Sequence, residues 1–385
     1  MELTDVLFSL IRYELCGEEP SKDMADFIDD TVLRKLYKLS KAHDVAHLVG
    51  DALFKWNISN ELTDGKFQEE QIKAIYRCEQ MQYELTRLCE FFNQQKIAFI
   101  PLKGSVLRAY YPEPWMRTSC DIDILVHECD LERAKDLLIQ KQGYTFSSKG
   151  DHDIGLFSES GVHLELHYSL VEDTIMTWTN EPLHKVWDYT TPNENLPYMY
   201  EMCDEMFYYY HVAHMAKHFL IGGCGIRPFI DLWYLDNLKA TNVEKREAML
   251  EDGGLLRFAV YARALSVVWL ENKPHDDITE NMQSYIISGG VYGNTENRVA
   301  IQQQKRGGKF RYILSRIFVS YDALKFQYPI LQTHRFLMPL MQVRRWFRLL
   351  FCGGARRSMR ELSYNSKVSK AEADATKRFL NQIGL

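Results

Sequence analysis

The chain has 385 residues, of which 46% are hydrophobic and 25% charged, and its net charge is -6. That balance is typical of a folded protein and excludes disorder as the default state. No run approaches the roughly 18 uninterrupted apolar residues of a membrane-spanning helix, and the N-terminal MELTDVLFSLIRYELCGEEP carries acids where a signal peptide is basic, so a cytoplasmic location is expected. The eight cysteines form no CxxC pair, which argues against a disulfide framework or a Cys-rich zinc site and for reduced thiols.

In chain order, residues 1–94 place apolar side chains at helical spacing in LTDVLFSLIRYEL, TVLRKLYKLSKAHDVAHLVGDALFKW and QIKAIYRCEQMQYELTRLCEFFNQ, predicting a helical N-terminal region. Over residues 95–195 the period changes. KIAFIPL, DIDILV, YTFSS and VHLELHYSL read as strands, whereas SVLRAYY and DLERAKDLLIQKQG read as helices. Residues 196–295 return to helical patterns in EMFYYYHVAHMAKHFL, IRPFIDLWYLDNL and LLRFAVYARALSVVWL, a region expected to close a cleft over the sheet. Residues 296–385 form a basic helical C-terminal region with 18 Lys plus Arg against 5 Asp plus Glu, so about +13 sits here and about -19 in the remainder. Its mixture of arginine and aromatics in KFRYILSRIF and MQVRRWFRLLFCGGARRSMR suits a nucleic acid, an anionic membrane surface, or a solvated helical cap that meets the acidic remainder of the chain. The fold class expected is α+β, a small mixed sheet flanked by helical regions.

The chemistry is concentrated in residues 97–126, IAFIPLKGSVLRAYYPEPWMRTSCDIDILV. An apolar strand runs into Lys103, Gly104 and Ser105, where a helix begins. Such a turn aims backbone N–H groups at an anion, and glycine allows a phosphate to approach, although a Gly-Ser pair alone is also an ordinary helix cap. In Asp121-Ile122-Asp123-Ile124 the strand period projects both acids from one face and both isoleucines from the other. Two carboxylates on one face repel unless a cation lies between them, and oxygen donors favour Mg²⁺ or Mn²⁺ over zinc. His163, Glu165 and His167 alternate with Leu164 and Leu166, so a strand beside DIDILV can direct Glu165 at the same ion. Three carboxylates from two strands suit a two-metal site.

This order of a Gly-Ser turn, Asp-x-Asp and a later strand Glu resembles the DNA polymerase beta-like nucleotidyltransferase superfamily. The longer string PLKGSVLRAYYPEPWMRTSCDIDILV with LELHYSL is similar to its uncharacterised nucleotidyltransferase family, with a looser likeness through HMAKHF, GIRPFIDLW and YPILQTHRFLMPLMQVRRWFR. The resemblance implies a polymerase beta-like catalytic core, two Mg²⁺ ions (Mn²⁺ also fits) on Asp121, Asp123 and Glu165, and Gly104 and Ser105 against the β and γ phosphates of an NTP. It implies transfer of an NMP to a hydroxyl or phosphate of an unidentified acceptor, small molecule, protein or RNA, with release of pyrophosphate. Glu159, Glu172 and Asp173 are the alternatives to Glu165. Arg117 pairs with the carboxylates, a phosphate or a structural partner. Lys217 and Arg227 are candidates to neutralise the triphosphate, and Asp231 to fix the helix pair or contact the nucleotide. His211, His214 and His218 share a helix face compatible with zinc or with plain packing. Two other readings stand beside the enzyme: a nucleotide-binding regulatory module without turnover, and a toxin-like nucleotidyltransferase acting on tRNA.

Overall fold

Apolar residues every third or fourth position dictate the helices that surround the sheet. The computed structural model describes residues 1–58, 61–150, 152–171, 179–237, 242–291, 293–351, 364–366 and 368–385. These fall into two compact units, one of Met1–Lys217, Cys224–Val291 and Gly384, the other of His218–Gly223, Tyr292–Ile383 and Leu385.

In the first unit, α1 (Leu3–Cys16) buries Val6, Leu7, Leu10 and Ile11; a capping box of Glu2 and Asp5 starts it, and Gly17 at φ 72° ends it. Helices α2 (Lys22–Phe27), α3 (Asp30–Ala42) and α4 (Ala46–Lys55) follow, with Asp29 capping α3 through Val32 N at 2.7 Å. The long α5 (Glu61–Gln94) then runs into the sheet. Its last turns present Leu88, Phe91 and Phe92 to a core that also holds Ile122, Ile124, Leu164 and Leu166.

The sheet contains β1 (Phe99–Pro101), β2 (Asp121–Val126), β3 (Thr145–Lys149), β4 (Asp153–Phe157) and β5 (His163–His167), in the order β1-β2-β5-β4-β3. Among the described strands of this sheet, only β2 and β5 pair in parallel. A parallel pair needs a long crossover, supplied by α7 (Leu131–Gln142) and the β3–β4 hairpin. Short helix α6 (Gly104–Leu107) follows β1. Leu131, Ala134 and Leu138 of α7 join the core on the same sheet face as Ile122 and Ile124. The expected mixed α+β arrangement is therefore present. The strand β4 and a small hairpin of β6 (Thr190–Pro192) and β7 (Tyr200–Met202) lie where the residue pattern had indicated no strand.

Helices α8 (Asn180–His184), α9 (Asp204–Leu220), α10 (Arg227–Asp236), α11 (Val243–Asp252), α12 (Leu256–Glu271) and α13 (Asp277–Ile287) follow, with Phe8 of α1 stacked on Trp269 of α12 at 4.3 Å. The second unit is helical. Thr295–Arg306 and Lys370–Gln382 share a core of Val299, Ala300, Tyr312 and Ala373, while Tyr321–Gln327 and Met338–Phe351 share one of Leu324, Tyr328, Leu331 and Met341. None of the described helices is long and apolar enough to cross a membrane, and the seven described cysteines are free thiols.

Candidate active site

The register between β2 and β5 builds the site. Asp121 lies opposite His163 and Asp123 opposite Glu165, so all four side chains share the sheet face turned away from the isoleucine core. Gly155 of β4 is the next cross-strand neighbour of Glu165; with no side chain it leaves that face open, and a Cβ there would come within 2.8 Å of Ser148 Oγ and 3.1 Å of His163 Nε2.

The side chains converge. Ligand atoms of Asp123, Glu165 and His167 lie within 4.8 Å of one another, as do those of Asp121, His163 and Glu165. His167 Nε2 donates to Asp123 Oδ1 at 2.9 Å and lies 3.5 Å from Glu165 Oε2. Lys103 Nζ donates to the same Asp123 oxygen at 2.7 Å. The backbone of Lys103 reaches this position at φ 44°, ψ -119°, a conformation that non-glycine residues seldom adopt and that clusters at functional sites.

The electrostatics separate the two aspartates. Burial would raise the Asp123 carboxyl, but Lys103 and His167 outweigh it and hold the group well below the usual carboxylate range, so it stays ionised. Asp121 is raised to about 6 by burial and by repulsion from Asp123, which Lys103 only partly offsets. Glu165 is lowered, first by its bond to His167. His167 is raised because Asp123 and Glu165 overcome its burial, and Lys103 because Asp123 does the same.

The family model of the uncharacterised nucleotidyltransferases matches residues 29–271, most of the chain and all of this site. The chain belongs to that family. Comparison with the curated proteins and with the solved structures finds no match. Membership of the nucleotidyltransferase family makes the protein a transferase of phosphorus-containing groups.

Within this nucleotidyltransferase the sequence candidates separate. Asp121, Asp123 and Glu165 come together, and the histidines of β5 lie beside them. Lys103 is an ion-pair partner of Asp123. A Cβ on Gly104 would meet Ser119 Cβ at 3.1 Å and Arg117 Nη1 at 3.5 Å, so packing against the segment before β2 constrains this position. The amides of Ser105 and Val106 are also engaged, donating to Leu102 O and Lys103 O. The Ser105 hydroxyl, by contrast, is buried with no hydrogen-bond partner among the described residues.

Arg117 points elsewhere. Its Nε and Nη2 donate to the two oxygens of Asp231, each at 2.8 Å, and Tyr111 Oη donates to Asp231 at 2.7 Å, forming a buried structural network between the β2 approach and α10. Arg227 donates to Asp44 Oδ2 at 2.7 Å and Thr118 Oγ1 at 2.9 Å. Lys217 is half-buried near the end of α9. Glu159 is exposed on the β4–β5 turn, its carboxylate over Gly143, and Glu172 and Asp173 lie outside the described residues. His211 bonds Pro228 O at 2.9 Å, and no metal-compatible group among the described residues includes it, His214 or His218. The residue pattern already placed His167 beside Glu165; its hydrogen bond to Asp123 depends on the strand register, which no local pattern specifies.

Proposed function

We propose that the protein is a divalent-metal-dependent nucleotidyltransferase with a DNA polymerase beta-like core, which moves an NMP from an NTP to an acceptor hydroxyl and releases pyrophosphate. The observation that carries this reading is the register pairing of Asp123 with Glu165, which supplies a third carboxylate to the Asp121–Asp123 pair. The donor set fits Mg²⁺ or Mn²⁺: three carboxylates supply hard oxygens, and the adjacent imidazoles extend the range towards Mn²⁺. Burial and repulsion from Asp123 together raise Asp121 to about 6, a cost that a bound cation would offset.

When bound, a divalent ion supplies charge to the triphosphate and acidifies the acceptor hydroxyl. Asp121 and Asp123 would hold it, with Asp123 kept ionised by Lys103 and His167. Glu165, more exposed than Asp123, would face the acceptor and receive its proton as the acceptor oxygen bonds to the α-phosphorus and the bond from that phosphorus to the bridging β-phosphate oxygen breaks, releasing pyrophosphate. The Ser105 hydroxyl has unused hydrogen-bonding capacity for a phosphate oxygen. Arg227 would compensate triphosphate charge only after exchanging Asp44.

Incubation with each α-labelled NTP, Mg²⁺ and a host-cell extract tests the reading. Label in a discrete acceptor fraction together with pyrophosphate is expected. Retention of the γ-phosphate in the labelled product would show transfer of a different phosphorus-containing group.

A further inference from the structure

The helix Met338–Phe351 is apolar on two opposite faces, and among the described residues only one of them is covered. Met338, Met341 and Gln342 turn inward, where Met341 packs with Leu324, Tyr328 and Leu331. At about 100° per residue, Leu340, Val343, Phe347 and Phe351 project roughly opposite to that core face, and Phe336 in the preceding turn continues the stripe. These side chains are exposed: Phe336 by 76%, Leu340 by 58%, Phe347 by 59% and Phe351 by 79%. Arg344 and Arg348 border the stripe and are exposed as well. The neighbouring helix Lys309–Ile317, joined to this one through Arg345 and Trp346 donors on Ile317 O, repeats the design with Phe310 exposed by 72% and Leu314 by 38%, beside Arg311 and Arg316. Between Lys305 and Arg348 the only acid is Asp322.

We propose that this apolar, arginine-bordered ridge docks on an anionic lipid surface. An interfacial helix needs apolar side chains that enter the acyl boundary and cations that remain at the headgroups, and both are present in helical register. A nucleic acid would use the arginines and the phenylalanines but has no use for Leu340 and Val343, which lack a stacking face. A second copy of the chain would bring like charges together along the ridge. Arg345 is excluded from the docking set because its guanidinium bonds Ile317 O at 3.2 Å and Arg316 O at 3.0 Å.

The test is co-sedimentation of the full chain with vesicles of phosphatidylcholine alone and of phosphatidylcholine containing roughly one third phosphatidylglycerol. Binding to the anionic vesicles only is expected. In L340S/F347S it should fall on the order of tenfold at every salt concentration. In R344Q/R348Q it should fall by a similar factor at low salt and converge with the parent as salt rises. Circular dichroism and melting establish that the variants fold; if the serine pair does not, the arginine pair and the salt series decide. Absence of vesicle binding overturns the proposal, as does equal binding by parent and both variants. Displacement of the chain from vesicles by bulk tRNA, with tRNA binding weakened in both R344Q/R348Q and L340S/F347S, would make the ridge a nucleic-acid surface. A dimer in vesicle-free solution that only L340S/F347S dissociates would make it an interface between copies.

Discussion

Lys103 Nζ lies 2.7 Å from Asp123 Oδ1, and this contact makes a lysine the internal counter-ion of the carboxylate cluster. Lys103→Met keeps the length and the backbone constraint at φ 44° and removes only the charge. The metal-free variant should lose about 3 kcal/mol at neutral pH, because a buried carboxylate is left with His167 alone. The loss should shrink in acid, where Asp123 can protonate, and in Mg²⁺. Melting curves in EDTA and in Mg²⁺ check this; an unchanged melting temperature in EDTA contradicts it.

Gly104 is constrained by Ser119. Gly104→Ala should cost about 1–3 kcal/mol through overpacking at the 3.1 Å contact, and Ser119→Gly in the same chain should recover part of it. Urea unfolding of the single and double variants measures the coupling. Strict additivity would remove the packing explanation and return the glycine to a phosphate-approach role.

The elements easiest to read from sequence were those whose signal is local. The apolar spacing of α5, the αL glycine that ends α7 at Gly143, and the alternation of DIDILV are written in consecutive residues. The strand β4 was hidden because Gly155 interrupts its pattern at the position that keeps the face beside Glu165 open. Period alone puts Asp121 and Asp123 on one face of β2 and Glu165 with the histidines on one face of β5; that the two faces coincide depends on the strand pairing. The roles of Lys103 and Arg117 could not, since each depends on a partner far along the chain, Asp123 and Asp231, that only the folded arrangement brings within 3 Å.

The Arg117–Asp231 pair should behave as structure. Asp231 is fully buried, so Asp231→Asn leaves the Arg117 guanidinium uncompensated and should cost about 3–5 kcal/mol. Calorimetric NTP affinity of the folded fraction should stay within a few-fold of the parent. A stable variant that has lost NTP binding would instead put Arg117 on the nucleotide.

Asp121 gives a pH signature in metal-free protein. Its folded value of about 6 lies above its ordinary 3.8, so between these pH values the native state binds more protons than the unfolded state, and stability falls as pH rises. Asp121→Asn removes that cost. In EDTA the variant should exceed the parent by about 2 kcal/mol near pH 8 and match it near pH 4. Added Mg²⁺ should stabilise the parent and not the variant. A variant less stable than the parent near pH 8 in EDTA would contradict this electrostatic account.

Nucleotide transfer by the three carboxylates that the paired strands β2 and β5 bring together stands or falls on Glu165→Gln. Glu165 is partly exposed and, among the described residues, its ion-pair partners are the histidines of β5, so the substitution should leave the fold and Mg-NTP binding near those of the parent. The measurement is pyrophosphate release with an α-labelled NTP, Mg²⁺ and the acceptor-containing extract, beside calorimetric Mg-NTP titration of the same preparations. Retained binding is expected, with transfer reduced by roughly two orders of magnitude or more. Transfer by Glu165→Gln at the parental rate would contradict it.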